Sequence, residues 1–153
     1  MKLYTIGFSK CSAKDFFSNL KDANVQKLMD VRRKNTSHLC GFTKKPDLKF
    51  FLEECFGIAY KHIPEFAPSE ELLTDYLKQL GKKKYDNRAW HDYVQRFQNE
   101  VLSKPIVGQF KKSTENLNSI CLLCSEKEPD YCHRRLLAEH FKKHVPDIEI
   151  VHL

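Results

Sequence analysis

Glycine is scarce in this chain, because only five glycines are spread over 153 residues. The G-x-G-x-x-G fingerprint of dinucleotide-binding folds is absent, and so is the glycine-rich Walker loop of ATP- and GTP-binding proteins. Both motifs use glycine because the backbone must pass close to a phosphate group. The sequence therefore excludes these two ways of holding a nucleotide.

Long apolar runs are also absent. No stretch approaches the roughly 20 apolar residues that span a bilayer, and residues 1–7 lack the cleavage region of a secretory signal. We therefore expect a cytoplasmic protein without a membrane partner. A chain of this length can form a real core, and several cysteines lie in apolar runs, so reduced thiols are expected rather than disulfides. The six cysteines are Cys11, Cys40, Cys55, Cys121, Cys124 and Cys132.

An excess of basic residues is the main compositional bias. Lysine and arginine number 26 against 20 acidic residues, which gives a net charge of +6 and a pI of about 9.0. A basic surface attracts polyanions, most often through phosphate contacts, although it also serves solubility. The positive runs are Arg32-Arg33-Lys34, Lys44-Lys45, Lys82-Lys83-Lys84 and Lys111-Lys112, and the run 82–84 is typical of a solvated loop.

Short apolar runs alternate with helical stripes along the chain. This alternation predicts one Rossmann-like α/β domain over residues 1–153, with a mostly parallel sheet and helices on both faces. The predicted strands are 3–8, 25–31, 58–63, 120–124 and 148–153. The predicted helices begin at Ser12, Pro46, Ser69, Arg88, Ile106 and just after Asp130. Gly57 and Gly81 should end the second and third helices, and the fifth should end near residue 117. The packed stripe of the second helix should contain Leu48, Phe51, Leu52 and Cys55.

The densest group of reactive side chains follows the fourth predicted strand. Ligands of open α/β sheets bind at such turns, beyond the carboxyl ends of the strands. We therefore expect Cys124, Glu126, His133 and Arg134 to surround one pocket, with Arg134 in the first helical turn as an anion site. The alternative is a solvated first turn with two buried structural cysteines.

The thiols of this segment allow two kinds of chemistry. Cys121 and Cys124 have C-x-x-C spacing, but positions three apart on a strand face opposite sides. Cys124, Cys132 and His133 can converge near Glu126, so a zinc site stays open as an alternative to having no cofactor. Cys124 is also a candidate nucleophile near a helix N-terminus, and Cys132 is an equal one. A phosphatase-type loop is excluded, because Asp130 and not arginine stands six residues after Cys124.

The ends of the first three strands supply further candidates. Asp30 and Arg32 project to the same side and can pair with each other or face one ligand. The loop after them is rich in donors and either cradles a phosphate or is an exposed connector. The candidate residues for ligand binding in these regions are Gly7, Ser9, Arg32, Asn35, Ser37, Tyr60 and Glu65.

Several of these segments together resemble the bacterial domain-of-unknown-function 488 family. The resemblance is carried by Tyr4-Thr5-Ile6-Gly7, Asp30-Val31-Arg32, Gly57-Ile58-Ala59-Tyr60, Cys124-Ser125-Glu126 and Cys132-His133-Arg134, and extends from Tyr4 to Leu153. It implies a compact α/β domain, a cluster like an active site and a role related to nucleotides or nucleic acids. Many members carry Leu-Gly-Gly after the third strand, whereas this chain has Pro64-Glu65-Phe66-Ala67-Pro68.

The predicted function is that of an enzyme acting on a phosphate-bearing nucleotide or nucleic acid. A hydrolytic or glycosidic step fits the polar groups, with Arg32 and Arg134 on the anion. A non-catalytic nucleic-acid-binding module and a thiol-dependent redox or sulfur-handling protein are the alternatives. Substrate and oligomeric state stay open. The catalytic candidates are Asp30, Cys124, Glu126 and His133, and Cys132 and Arg134 join the ligand-binding candidates.

Overall fold

The computed structural model describes residues 1–36 and 41–153. Its centre is one sheet of five parallel strands in the order β3-β2-β4-β1-β5. The predicted α/β class is thereby confirmed, and the sheet is entirely parallel. The strands are β1 (Lys2–Gly7), β2 (Lys27–Asp30), β3 (Ala59–His62), β4 (Ser119–Cys124) and β5 (Glu149–His152).

Helices follow the strands, as the alternating pattern predicts. In the described part of the chain they are α1 (Ala13–Asp22), α2 (Lys45–Phe50), α3 (Glu70–Leu80), α4 (Asn87–Phe97), α5 (Ile106–Ser113) and α6 (His133–His144). π-helical segments, Phe51–Cys55 and Gln98–Leu102, extend α2 and α4, and 3-10 turns lie at Gly41–Thr43 and Pro64–Phe66. None of the helices described is both long and apolar enough to cross a membrane.

Local sequence signals determine where several helices begin and end. The hydroxyl of Ser12 accepts from the backbone N–H of Asp15 at 3.0 Å, and Ser69 accepts from Leu72 at 3.1 Å, so both predicted caps are confirmed. Gly57 and Gly81 follow helical segments with φ of +65° and +59°. These left-handed angles favour glycine, which explains why the helices stop there.

The sheet is buried on both faces, which is why its central strands are apolar. In β4, Ile120 and Leu122 pack into the core under α3–α6, whereas Cys121 and Leu123 pack into the core under α1 and α2. The side chains alternate because strands have a period of two. Cys124 returns to the α6 side, where it contacts His133.

Two helical predictions need correction. Cys55 was expected in the packed stripe of α2 but is exposed. Its turn is π-helical, and the wider turn moves Cys55 off the α-helical stripe while Leu52 stays buried. The helix expected to reach residue 117 ends at Ser113. The Thr114 hydroxyl donates to the Phe110 carbonyl at 2.9 Å, and Asn116 has a φ of +60°, so the chain turns toward β4.

The loops after β2 and β4 meet because these strands are neighbours. Asp30 is in register with Leu123, and the next N–H, of Val31, donates to the Leu123 carbonyl at 3.1 Å. The carboxyl ends of the two strands therefore lie side by side. The side chains after Asp30 and those after Leu123 consequently share one edge of the sheet, which is where ligands bind in open parallel sheets.

Candidate active site

A cavity of about 510 Å³ opens at this edge. Its volume lies within the range of about 300–1,000 Å³ that small-molecule sites occupy. Its floor contains Cys124, Cys132 and His133, and one wall comes from α3. Five of the predicted site residues line this single cavity, namely Arg32, Cys124, Glu126, Cys132 and His133.

Two thiols and an imidazole converge on the cavity floor. Cys124, Cys132 and His133 are only 6%, 2% and 8% exposed, and their ligating atoms all lie within 4.8 Å of one another. Cys124 ends β4 and Cys132 is the N-cap of α6, so the strand-to-helix turn brings them together. The expected convergence of these residues is present in the structure.

The hydrogen bonds of His133 determine which ring nitrogen carries its proton. Nε2 lies 2.9 Å from the carbonyl oxygen of Val31. A carbonyl oxygen only accepts, so Nε2 carries the hydrogen. In the neutral ring, Nδ1 is then unprotonated, and Cys124 Sγ lies beside the ring, 3.7 Å from Nδ1 and 4.0 Å from Nε2. Nδ1 is thus the nitrogen of this ring that can accept the thiol proton of Cys124.

The environment distinguishes the two neighbouring thiols. A hydrogen bond from the Cys132 thiol lowers the pKa of Cys124 against the opposing effect of burial, and the charge of Arg134 and the backbone N–H groups of Ser125 and Glu126 lower it further. Burial, the bond to Cys124 and the charge of Cys124 raise the pKa of Cys132 well above its ordinary value. Cys124 is therefore the more acidic of the two thiols, and Cys132 is the one that stays protonated.

The remaining described cysteines lie elsewhere. Cys121 faces the α1–α2 core, and burial raises the pKa of its thiol. Cys55, Cys121, Cys124 and Cys132 are free thiols. Cys40 lies outside the described residues, so the expectation of six reduced cysteines stays a prediction.

Arg134 does not line the cavity. Its guanidinium is fully buried and donates to the carbonyls of Glu126 and, at 2.8 Å, Lys127, while Nε lies 3.3 Å from Thr5 Oγ1. The expectation that it grips a ligand anion is corrected by this placement, since its donors hold the β4–α6 loop. Its positive charge acts on Cys124 from inside the protein.

Asp30 and Arg32 pair with each other instead of facing one ligand. Arg32 donates from Nε and Nη2 to the two carboxylate oxygens at 2.8 and 2.7 Å. Asp30 is fully buried and also accepts from Tyr60 Oη at 2.7 Å and Asn35 Nδ2 at 3.4 Å. Burial and the Asp30 charge raise the pKa of Tyr60. Asp30, Asn35 and Tyr60 thus form a hydrogen-bonded network outside the cavity. Arg32 lines the cavity, but its guanidinium is already bonded to Asp30.

The remaining candidates shape loops or lie elsewhere. A Cβ on Gly7 would stand 1.7 Å from the carbonyl oxygen of Glu126, so only glycine lets the β4–α6 loop cross the end of β1. The Ser9 N–H donates to the Ser125 carbonyl at 3.0 Å. Glu65 is exposed and lines a separate, more open cavity. Ser37 lies outside the described residues.

The wall of the cavity and part of its rim lie outside the predicted site. Leu73, Tyr76, Leu77 and Leu80 recur at helical spacing in α3, and this signal predicts a packed stripe. Leu73 and Leu77 nevertheless remain 42% and 54% exposed at the cavity. Lys84, Tyr93 and Tyr131 also line the cavity outside the predicted site, whereas Arg33 and Lys34 belong to the donor-rich loop that was expected to cradle a phosphate.

The basic rim is partly neutralised. Lys34 pairs with Glu70 at 2.6 Å, and Arg33 donates to the carbonyls of Pro68 and Ala67. Glu126 also faces the cavity. A ligand here meets positive charge at the entrance, apolar and aromatic surface along the wall, and sulfur at the floor.

The floor also has some properties of a metal site. Two sulfurs and an imidazole suit a borderline ion such as zinc. Among the described residues the group offers three ligands, which is the number that a catalytic zinc site uses and one fewer than a closed structural site needs. The zinc alternative therefore stays a prediction.

Fold and site together define an α/β domain with a buried thiol–imidazole pair at the carboxyl edge of a parallel sheet. The family model described as Domain of unknown function DUF488 matches residues 12–141. The chain belongs to this family, as its motifs predict. No curated protein and no solved structure matches the chain.

Proposed function

We propose that this protein is a thiol-dependent enzyme in which Cys124 is the nucleophile and His133 its acid–base partner. The observation that carries the proposal is that His133 bonds the Val31 carbonyl through Nε2 while its Nδ1 lies 3.7 Å from Cys124 Sγ. A cysteine becomes an efficient nucleophile when an adjacent base is held in the correct tautomer by a third group. Val31 is that third group here.

The proposed step uses groups that are already in place. Nδ1 of His133 takes the Cys124 proton, and the sulfur then forms a bond to an electrophilic atom of the ligand while the bond to the leaving group breaks. The imidazolium returns its proton to the leaving group from Nδ1. The Val31 carbonyl accepts from Nε2 throughout and so stabilises the charged ring.

The ligand class follows from the rim and the wall. Arg33, Lys34 and Lys84 favour an anionic group, and the leucines and tyrosines favour an apolar or aromatic body. A phosphate-bearing small molecule such as a nucleotide combines these features. The positive charge for this ligand comes from the rim and not from Arg32 or Arg134, because the guanidinium groups of these two arginines are already bonded inside the protein.

A non-catalytic module that binds nucleic acid is the second candidate. It is favoured by the net charge of +6 and by the basic rim. A glycosidic mechanism with paired carboxylates has less support, because Asp30 is closed off by Arg32 and Tyr60. The two remaining candidates differ in what they require of Cys124, since only the enzyme needs a reactive thiolate.

Alkylation of Cys124 tests the proposal. The rate of its labelling by iodoacetamide is followed by mass spectrometry across pH 4–10, with Cys55, which is exposed and outside the cavity, reporting the reagent dose. We expect the labelling midpoint of Cys124 to lie below the value of about 8.5 for an ordinary thiol. A midpoint at or above that value contradicts the proposal. Protection that a chelator removes also contradicts it, and favours a metal centre.

A further inference from the structure

We infer that Cys132 is the resolving thiol of Cys124, and that the two form a reversible disulfide when the site reduces a hydroperoxide. The inference rests on the proposed role of Cys124 as a nucleophile. It assigns a second chemical role to the cavity floor, a two-cysteine redox centre, and it names the oxidant as a hydroperoxide and the reductant as a small thiol.

The two sulfurs are positioned for this reaction. Their separation is at most 4.8 Å, and both side chains are buried on the cavity floor. A disulfide requires an approach to about 2.05 Å. The side chain of Cys132 makes no capping bond to α6 within the described chain, so it can move without breaking the helix start.

The second half of the segment between the two cysteines can absorb this movement. Arg134 holds the carbonyls of Glu126 and Lys127, so the movement falls on residues 128–131, where Glu128 and Asp130 are exposed. Cys121 is three residues from Cys124 but points into the opposite core. Among the thiols in the described part of the chain, Cys132 can therefore reach Cys124 with the least rearrangement of the fold.

Two linked steps balance the chemistry. In the first, the Cys124 thiolate attacks a peroxide oxygen; an S–O bond forms, the O–O bond breaks, and the alkoxide or hydroxide leaves with a proton from the imidazolium of His133. In the second, the Cys132 sulfur attacks Cys124; an S–S bond forms, the S–O bond breaks, and the Cys132 proton leaves with the oxygen as water. Two small thiols then reduce the Cys124–Cys132 disulfide and are themselves joined in a new disulfide.

Oxidation of Cys124 also activates its partner. The hydrogen bond to Cys124 and the negative charge of Cys124 are two of the causes that raise the pKa of Cys132. Both causes disappear once Cys124 is a neutral sulfenic acid. Cys132 thus stays protonated while Cys124 attacks the peroxide, and becomes a better nucleophile for the second step.

One equivalent of hydrogen peroxide tests the inference. Trypsin cleaves after Lys127, so Cys124 and Cys132 fall on separate peptides, and fragment sequencing distinguishes Cys124 from Cys121. We expect two thiols to be lost per chain, a Cys124–Cys132 bridge in the unreduced digest, and full recovery with dithiothreitol. Cys132→Ser should instead give a Cys124 sulfenic acid that dimedone traps, while Cys55→Ser should behave as the natural chain.

The outcomes separate this inference from the proposed function. The natural chain could show a lowered alkylation midpoint for Cys124 together with a persistent sulfenic acid and no bridge. This result overturns the resolving role of Cys132 but leaves the proposed function standing. A bridge to a different cysteine does the same. An ordinary midpoint overturns the proposed function itself. Thermal melting of Cys132→Ser and Cys132→Ala shows that the variants are folded, and both should lose the bridge.

Discussion

His133 in the first turn of α6 donates from Nε2 to the carbonyl oxygen of Val31, 102 residues earlier in the chain, across 2.9 Å. Val31 lies between Asp30 and Arg32, whose side chains form a buried bidentate ion pair. The Asp30 network therefore holds the carbonyl that orients the imidazole. The loop after β2 acts on Cys124 through His133 without contributing a reacting group of its own.

Removal of the Cys132 thiol should make Cys124 less acidic. Its hydrogen bond is the largest cause of the lowered pKa, and a hydrogen bond to a charged group contributes about 1.5–3 kcal/mol, or roughly 1–2 pH units. Because the pKa of Cys124 is depressed, the thiolate persists to lower pH; in Cys132→Ala the alkylation midpoint should move upward by about that amount. Cys55→Ser is the matched control. An unchanged midpoint in folded Cys132→Ala would show that the thiol pair is not coupled.

Arg134→Ala should destabilise the fold. The carbonyls of Glu126 and Lys127 lose the donor that the fully buried Arg134 supplies, and we expect the free energy of unfolding to fall by about 3 kcal/mol. Arg134→Lys keeps the charge but not the fork, so it should recover only part of this loss. Urea denaturation measures both, with the exposed Arg88→Ala as control. Full stability of Arg134→Ala would contradict its role in the loop.

Gly7→Ala should also destabilise the fold. The new methyl group would collide with backbone at Glu126, 1.7 Å away, and such overpacking costs about 1–3 kcal/mol. Gly108→Ala is the matched control, because nothing lies within 4 Å of its Cβ position in α5; it should raise the melting temperature, since alanine is the better helix former. Similar melting temperatures for the two variants would mean that the loop moves aside.

Leu77→Asn should impair binding of an apolar reagent without affecting the fold. Leu77 is 54% exposed and lines the cavity, so its loss should weaken the apolar contact by about 1 kcal/mol, roughly a fivefold effect. We expect slower labelling of Cys124 by N-phenylmaleimide and unchanged labelling by iodoacetamide. Phe50→Asn, which changes an exposed side chain outside the cavity, should alter neither rate. An equal decrease in labelling rate with both reagents would show that the reactivity of Cys124 has changed, and not the apolar contact at Leu77.

The candidate site was predictable in part. The position of Cys124 at a strand end and of Cys132 and His133 at a helix start follows from local pattern, and the structure brings these three together. The roles of Arg32 and Arg134 did not follow from local pattern, because several of their hydrogen-bond partners are remote in the sequence. Arg32 reaches the carbonyl of Thr43, and Arg134 reaches Thr5 and the β4–α6 loop.

By itself, the sequence determined the alternation of strands and helices, the caps at Ser12 and Ser69, and the apolar β4 that is buried on both sides. These features depend on spacing within one element, which a linear pattern records. Only the tertiary structure decided that Leu73 and Leu77 face a cavity, that Asp30 is closed off, and that the Val31 carbonyl sets the tautomer of His133. These relationships join segments tens of residues apart, and their geometry exists only after the sheet has brought those segments side by side.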